Sequence, residues 1–192
     1  MKPPALAIFV LPVAIVAALS GCGGSPAPST PAPSALESCV TGHTWTLDVA
    51  DAASQNLAHF QGLGLPVTAL TGSGTQTMEW KANGHVDIET ALDYVITVTE
   101  DADNVLVITQ AHRGPATGTF TIAGAQALPS GWDSSGYTVT SSATKNGEPL
   151  GGSPMDFPDS QLGGVEFALT CSGNSLTTLA TDGFVNYHWT HA

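Results

Sequence analysis

Apolar and polar positions alternate with a period of two along most of the chain beyond residue 43. Trp45, Leu47 and Val49 are interleaved with Thr46 and Asp48, so an extended backbone here has one apolar and one polar face. The same phase returns at Met78 and Trp80, at Val86 and Ile88, at Tyr94, Ile96 and Val98, and at Phe120 and Ile122. It appears again at Tyr137 and Val139, at Val165, Phe167, Leu169 and Cys171, and at Val185, Tyr187 and Trp189. Turn-forming runs punctuate these segments: Ala82-Asn83-Gly84, Asp101-Ala102-Asp103-Asn104, Ser172-Gly173-Asn174 and Thr181-Asp182-Gly183. Connections this short favour antiparallel neighbours, because a parallel crossover needs about a dozen residues or more.

One stretch keeps another period. From Asp51 to Pro66, Asp51 offers an N-cap, Ala53, Leu57 and Phe60 share a face, and Gly62, Gly64 and Pro66 end the pattern. A short helix is predicted over 52–61, between the first and second strands. It would close one end of a barrel as a plug or lid, or simply cover exposed apolar edges. Eight to ten strands with one helix make the chain mainly β, either a two-sheet sandwich or an antiparallel up-and-down β-barrel. Closure removes exposed strand edges, so the barrel is the expected architecture.

The first 21 residues follow a different rule. Lys2 precedes an apolar run from Ala5 to Leu19, shorter than the roughly 20 residues of a spanning helix, and reads as an export signal. At its end Leu19-Ser20-Gly21-Cys22 resembles the lipobox of secreted bacterial, actinobacterial-type lipoproteins. That resemblance implies cleavage before Cys22, lipid on its sulfur and an extracytoplasmic, membrane-anchored protein, since several acyl chains hold a protein firmly on a bilayer. Residues 22–38 are rich in Pro, Ser, Gly and Ala and read as a semi-rigid tether reaching on the order of 50 Å. The folded domain is expected over 39–192, long enough for one sizeable core.

Charge and cysteine content narrow the partners. The 192-residue chain has 4 Lys and Arg against 16 Asp and Glu, a formal net charge of −12. Nucleic acid is excluded as an expected partner, because phosphate recognition draws on basic clusters. The acidity otherwise serves solubility. With Cys22 assigned to lipid, Cys39 and Cys171 remain in an oxidising compartment and are expected to pair as a disulfide.

Catalytic signals are sparse. There is no Gly-x-Ser-x-Gly pentad, no HExxH and no helical i,i+4 histidine pair among His43, His59, His85, His112, His188 and His191. No catalytic residue, metal ligand or cofactor is therefore expected. His188 and His191 read as exposed. Arg113, beside His112, would attract a carboxylate or phosphate if it pointed inward and would be solvated if it pointed outward. Glu100, Asp101, Asp103 and Asn104 supply oxygens on a turn, but without the central Gly and terminal Glu of an EF-hand they read as a charged hairpin tip. The long loop over 148–164, with Asp156 and Asp159, is either functional or disordered.

The domain resembles the lipocalin-like, or calycin, barrels. The resemblance is carried by Gly42-His43-Thr44-Trp45 on the first strand and by the closing strands from Phe167 to Ala192. It departs from that group in the two residues between Gly42 and Trp45, where lipocalins have one, and in lacking an Arg near Trp189. It implies a barrel that is either filled by side chains or holds one small ligand. Trp45, Trp80, Tyr94, Tyr187 and Trp189, all in the apolar phase of their strands, would line such a cavity. The expected function is a tethered binding or interaction module for a small apolar molecule, a glycan or an envelope protein. The alternative is a structural or assembly role in the envelope with a filled barrel and no ligand.

Overall fold

The computed structural model describes residues 32–101, 103–151 and 165–192, with Glu100 described by its backbone alone. The export signal, Cys22 and most of the tether lie outside the described residues, as do Ala102, Asp156 and Asp159.

The domain starts earlier than its composition suggests. Ser34 accepts from the Glu37 amide at 3.1 Å, and Glu37 accepts from the Ser34 amide at 3.3 Å. This reciprocal pair starts α1, Ala35–Val40, within the stretch expected to be tether. β1 follows at His43–Leu47. The second helix, α2, runs Val49–Gly62 and so begins three residues before the predicted start. Its cap is Asp48 rather than Asp51: the Asp48 carboxylate accepts from the Asp51 amide at 3.0 Å. Val49, expected as the last strand position, opens the helix and remains buried.

The remaining strands are β2 (Val67–Trp80), β3 (His85–Asp101), β4 (Asn104–Ala123), β5 (Gln126–Asp133), β6 (Thr138–Lys145), β7 (Glu148–Pro149), β8 (Phe167–Ser172), β9 (Ser175–Ala180) and β10 (Asn186–Thr190). All pairings are antiparallel, and the single sheet of ten strands is largely closed on itself. Eight strands make the ring in the order β1-β2-β3-β4-β5-β8-β9-β10, with β10 returning to β1 through Leu47 opposite Trp189.

β2, β3 and β4, at 14, 17 and 20 residues, are longer than β1, which has 5. Their surplus runs past the ring as a wing made of 67–74, 92–101 and 104–113, to which β6 adds a fourth strand. β5 and β6 lie end to end along the same edge of β4, Asp133 opposite Thr117 and Thr138 opposite Arg113. Between them the chain passes close beside β4 at Gly114, whose φ of +102° and 2.1 Å approach of a Cβ to the Gly136 carbonyl oxygen admit only glycine.

Two cores result. Trp45, Trp189, Leu176, Val40 and Val86 are fully buried inside the ring, where Trp80, Ile88, Phe120, Phe167 and Leu169 pack with them. A second cluster forms where Ala53, Leu57 and Phe60 of α2 cover Val67, Leu70, Ile96, Ile108 and Ala143 on the wing. The helix thus covers apolar sheet surface outside the ring. At the far end, Cys39 of α1 is joined to Cys171 of β8 with sulfurs 2.01 Å apart. There the Trp45 indole donates to the Val40 carbonyl at 2.9 Å.

Candidate functional site

The strand phase that fills the ring with apolar side chains changes character where the wing begins. On the inward face of β3 and β4, Tyr94 and Leu92 stand beside Gln110 and His112, with Ser141 and Val139 of β6 next in register. Gly72 of β2 supplies the room: a Cβ there would come within 2.9 Å of the Tyr94 ring and 2.7 Å of Val49. Tyr137 arrives from the connection between β5 and β6, held by its amide on the Ser134 carbonyl at 2.9 Å. Tyr187 comes from β10.

These are all three tyrosines of the chain. Tyr94 and Tyr137 meet His112, which is 7 % exposed, and Tyr187 lies near both of these phenols; each phenol ring is half-buried. The His112 Nδ1 lies 2.5 Å from the Tyr137 hydroxyl, and the Tyr94 ring stands at 88° to the imidazole with centroids 5.6 Å apart. Three buried polar groups are partnered: Gln76 donates to Thr90 at 2.9 Å, Gln110 to Ser141 at 3.3 Å, and the Trp189 indole to Thr178 at 3.0 Å, whereas the buried Trp80 indole N–H has no hydrogen-bond partner among the described residues.

Burial pushes the Tyr94 hydroxyl well above the ordinary tyrosine range, and the nearby phenols of Tyr187 and Tyr137 push it further. Burial, with a smaller effect of Tyr137, raises Tyr187 in the same direction. A raised phenol favours the protonated form in the folded state. Its stabilising contribution is complete below the free-tyrosine pKa of about 10 and is lost as pH rises towards the folded-state value. Ultraviolet titration of phenolate formation is therefore expected to show two of the three tyrosines ionising above pH ~10, together with alkaline unfolding. Three phenols titrating together near pH ~10 in the folded protein would contradict this.

Of the five residues expected to line a cavity, the structure brings together Tyr94 and Tyr187. Trp45, Trp80 and Trp189 are core, at 0 %, 2 % and 0 % exposure. Tyr137 and His112 complete the group; the signal for them was a third tyrosine in strand phase and a histidine two residues from Gln110 on the same face. Arg113 turns to the opposite face, where its Nη2 donates to Asp93 at 2.6 Å and its Nη1 to the carbonyls of Leu92 and His112.

The other polar candidates serve local structure. Asn104 donates to both carboxylate oxygens of Asp101, at 2.9 and 2.8 Å, which ties the β3–β4 hairpin tip and lowers the Asp101 pKa. His188 meets Asp51 at 2.9 Å. His191 stacks on His43 with centroids 4.0 Å apart. His85 and Lys81 both meet Asp87. Among the described residues no three His, Cys, Asp or Glu side chains gather as a metal site. No protein-family model matches the sequence, and no curated protein matches it significantly.

Proposed function

We propose that the chain is a lipid-anchored, extracytoplasmic binding module that takes a small ligand at the wing-side mouth of its barrel. The observation that carries this reading is the gathering of every tyrosine in the chain, from three separate segments, with two of them in contact with one buried histidine. Aromatic rings with a few fixed polar groups are the usual lining of a small-molecule site. The Leu19-Ser20-Gly21-Cys22 run supports the anchor, and the scarcity of Lys and Arg argues against nucleic acid. A second reading, an assembly protein of the cell envelope with no ligand, draws on the three tryptophans that occupy the barrel interior.

Native mass spectrometry of the protein purified from its own host tests the first reading. A retained small molecule, lost on substitution of Tyr94 and Tyr187, is the expected result. A bare protein under gentle ionisation would favour the assembly role. Cys22→Ser is expected to abolish acyl labelling, and persistent label on that variant would remove the anchor.

A further inference from the structure

We infer that the outer face of the wing is a self-association surface, on which a second copy of this chain docks sheet against sheet. The contact is independent of any ligand at the mouth.

The two faces of the wing have different fates. α2 covers the inner one, where Leu70, Ile96 and Ile108 are buried. The outer one carries the alternate residues of the same strands. Thr71, Val95, Thr109 and Ser142 stand side by side in one lateral row, and Thr97 and Val107 lie in the next. Val95 is 37 % exposed, and Thr71, Thr109 and Ser142 are exposed with it. Small and β-branched side chains of this kind interdigitate when two sheets pack face to face.

Charge selects a second copy as the occupant. Along the outer face of β3, the ring portion bears Asp87 and Glu89, and Asp93 follows where the wing begins. Beyond them the outward positions are Val95, Thr97 and Thr99, which carry none. At a formal net charge of −12, two copies repel over most approaches, and these uncharged rows let them meet without opposing carboxylates. The two ends of the face are complementary. Arg113 lies half-exposed at the ring end, and the exposed Asp101 and Asp103 lie at the hairpin tip. A twofold axis between the sheets and across the strands sets Arg113 of each copy towards the acidic tip of the other. It also places the two rings at opposite ends of the pair. Such a contact uses the same patch twice and closes on itself.

The extent of the face sets the strength of the pair. Four strands about 4.8 Å apart and about eight residues long at 3.4 Å each present roughly 500 Å² per copy. The pair therefore buries about 1,000 Å², below the roughly 1,600 Å² of a standard interface, and is a weak dimer.

The test traps that dimer chemically in the full chain. The chain has three cysteines, and Cys39 and Cys171 are bonded to each other. In a Cys22→Ser background an introduced cysteine is then the one free thiol, whether or not position 22 normally carries lipid. Thr109→Cys lies beside the twofold axis, and facing sheets stand about 10 Å apart, within reach of a short bismaleimide. At about 0.1 mM protein, Thr109→Cys is expected to give roughly tenfold more covalent dimer than Thr121→Cys, which is exposed on the ring portion of the same strand. Adding Val95→Asp to Thr109→Cys should cut the yield about tenfold, whereas Val95→Thr, uncharged and of the same shape, should keep it. Circular dichroism of each variant checks that the fold persists. Equal yields from the two cysteine positions would overturn the inference. A yield that Val95→Asp leaves unchanged would overturn it too. If Thr109→Cys in the host's own cells joins a different protein and forms no dimer, the face has another occupant and the inference falls.

Discussion

Truncating Trp45 to alanine is expected to destabilise the domain by about 3–5 kcal/mol. The ring is fully buried beside Trp189 and Val40 in the larger core, and its indole N–H holds the end of α1 through the Val40 carbonyl. Removal leaves both a cavity and a carbonyl without its donor, and the two costs act together. Equilibrium denaturation in urea should show the midpoint fall steeply with the slope preserved. A loss below about 0.5 kcal/mol would mean that position 45 behaves as a surface site. Trp189→Ala tests the same core from β10, where the indole donates to Thr178.

Removing the Cys39–Cys171 disulfide is the second large effect. The two residues are 132 apart in sequence, and in the chain-entropy account a loop of that length contributes about 5 kcal/mol by restricting the unfolded chain. Engineered and natural examples commonly fall short of the entropic value, so a measured loss of about 2–5 kcal/mol is the expected range for a Cys39→Ser, Cys171→Ser double variant. Thiol counting on the unfolded wild-type domain, before and after reduction, should differ by the two cysteines. Unchanged stability in the double variant, with both thiols free in the wild type, would refute the bridge.

Much of the fold was legible because alternation is a strong signal wherever a strand has one buried face. Trp45 and Leu47, Met78 and Trp80, Phe167 and Leu169 all point into the ring as their phase requires. The helix was legible from Ala53, Leu57 and Phe60, but its start was misplaced because Asp48 and Asp51 are both competent caps and the choice depends on how β1 ends. α1 was hidden by composition: six residues in a Pro- and Ser-rich neighbourhood carry little periodicity, although the Ser34 and Glu37 pair was present in the sequence. The wing was not legible at all. Alternation reports which face of a strand is buried and says nothing of which strand ends outrun the ring. That is also why Tyr94 and Trp80, alike in phase, have different surroundings: Trp80 lies within the part of β2 paired to β1, and Tyr94 lies on the part of β3 beyond it. Tyr137 and His112 became neighbours only through the end-to-end placement of β5 and β6 on one edge of β4.

The sulfur bridge has a mechanical consequence. Tension applied between the two ends of the folded domain enters through α1, crosses from Cys39 to Cys171 and leaves through β9 and β10. The segment enclosed by the bridge, which includes β1 to β7 with Tyr94, His112 and Tyr137, cannot be drawn out while the bond is intact. A pulled molecule would lengthen only by its two short tails until the bond was reduced, and then by the whole enclosed length in a second, later step.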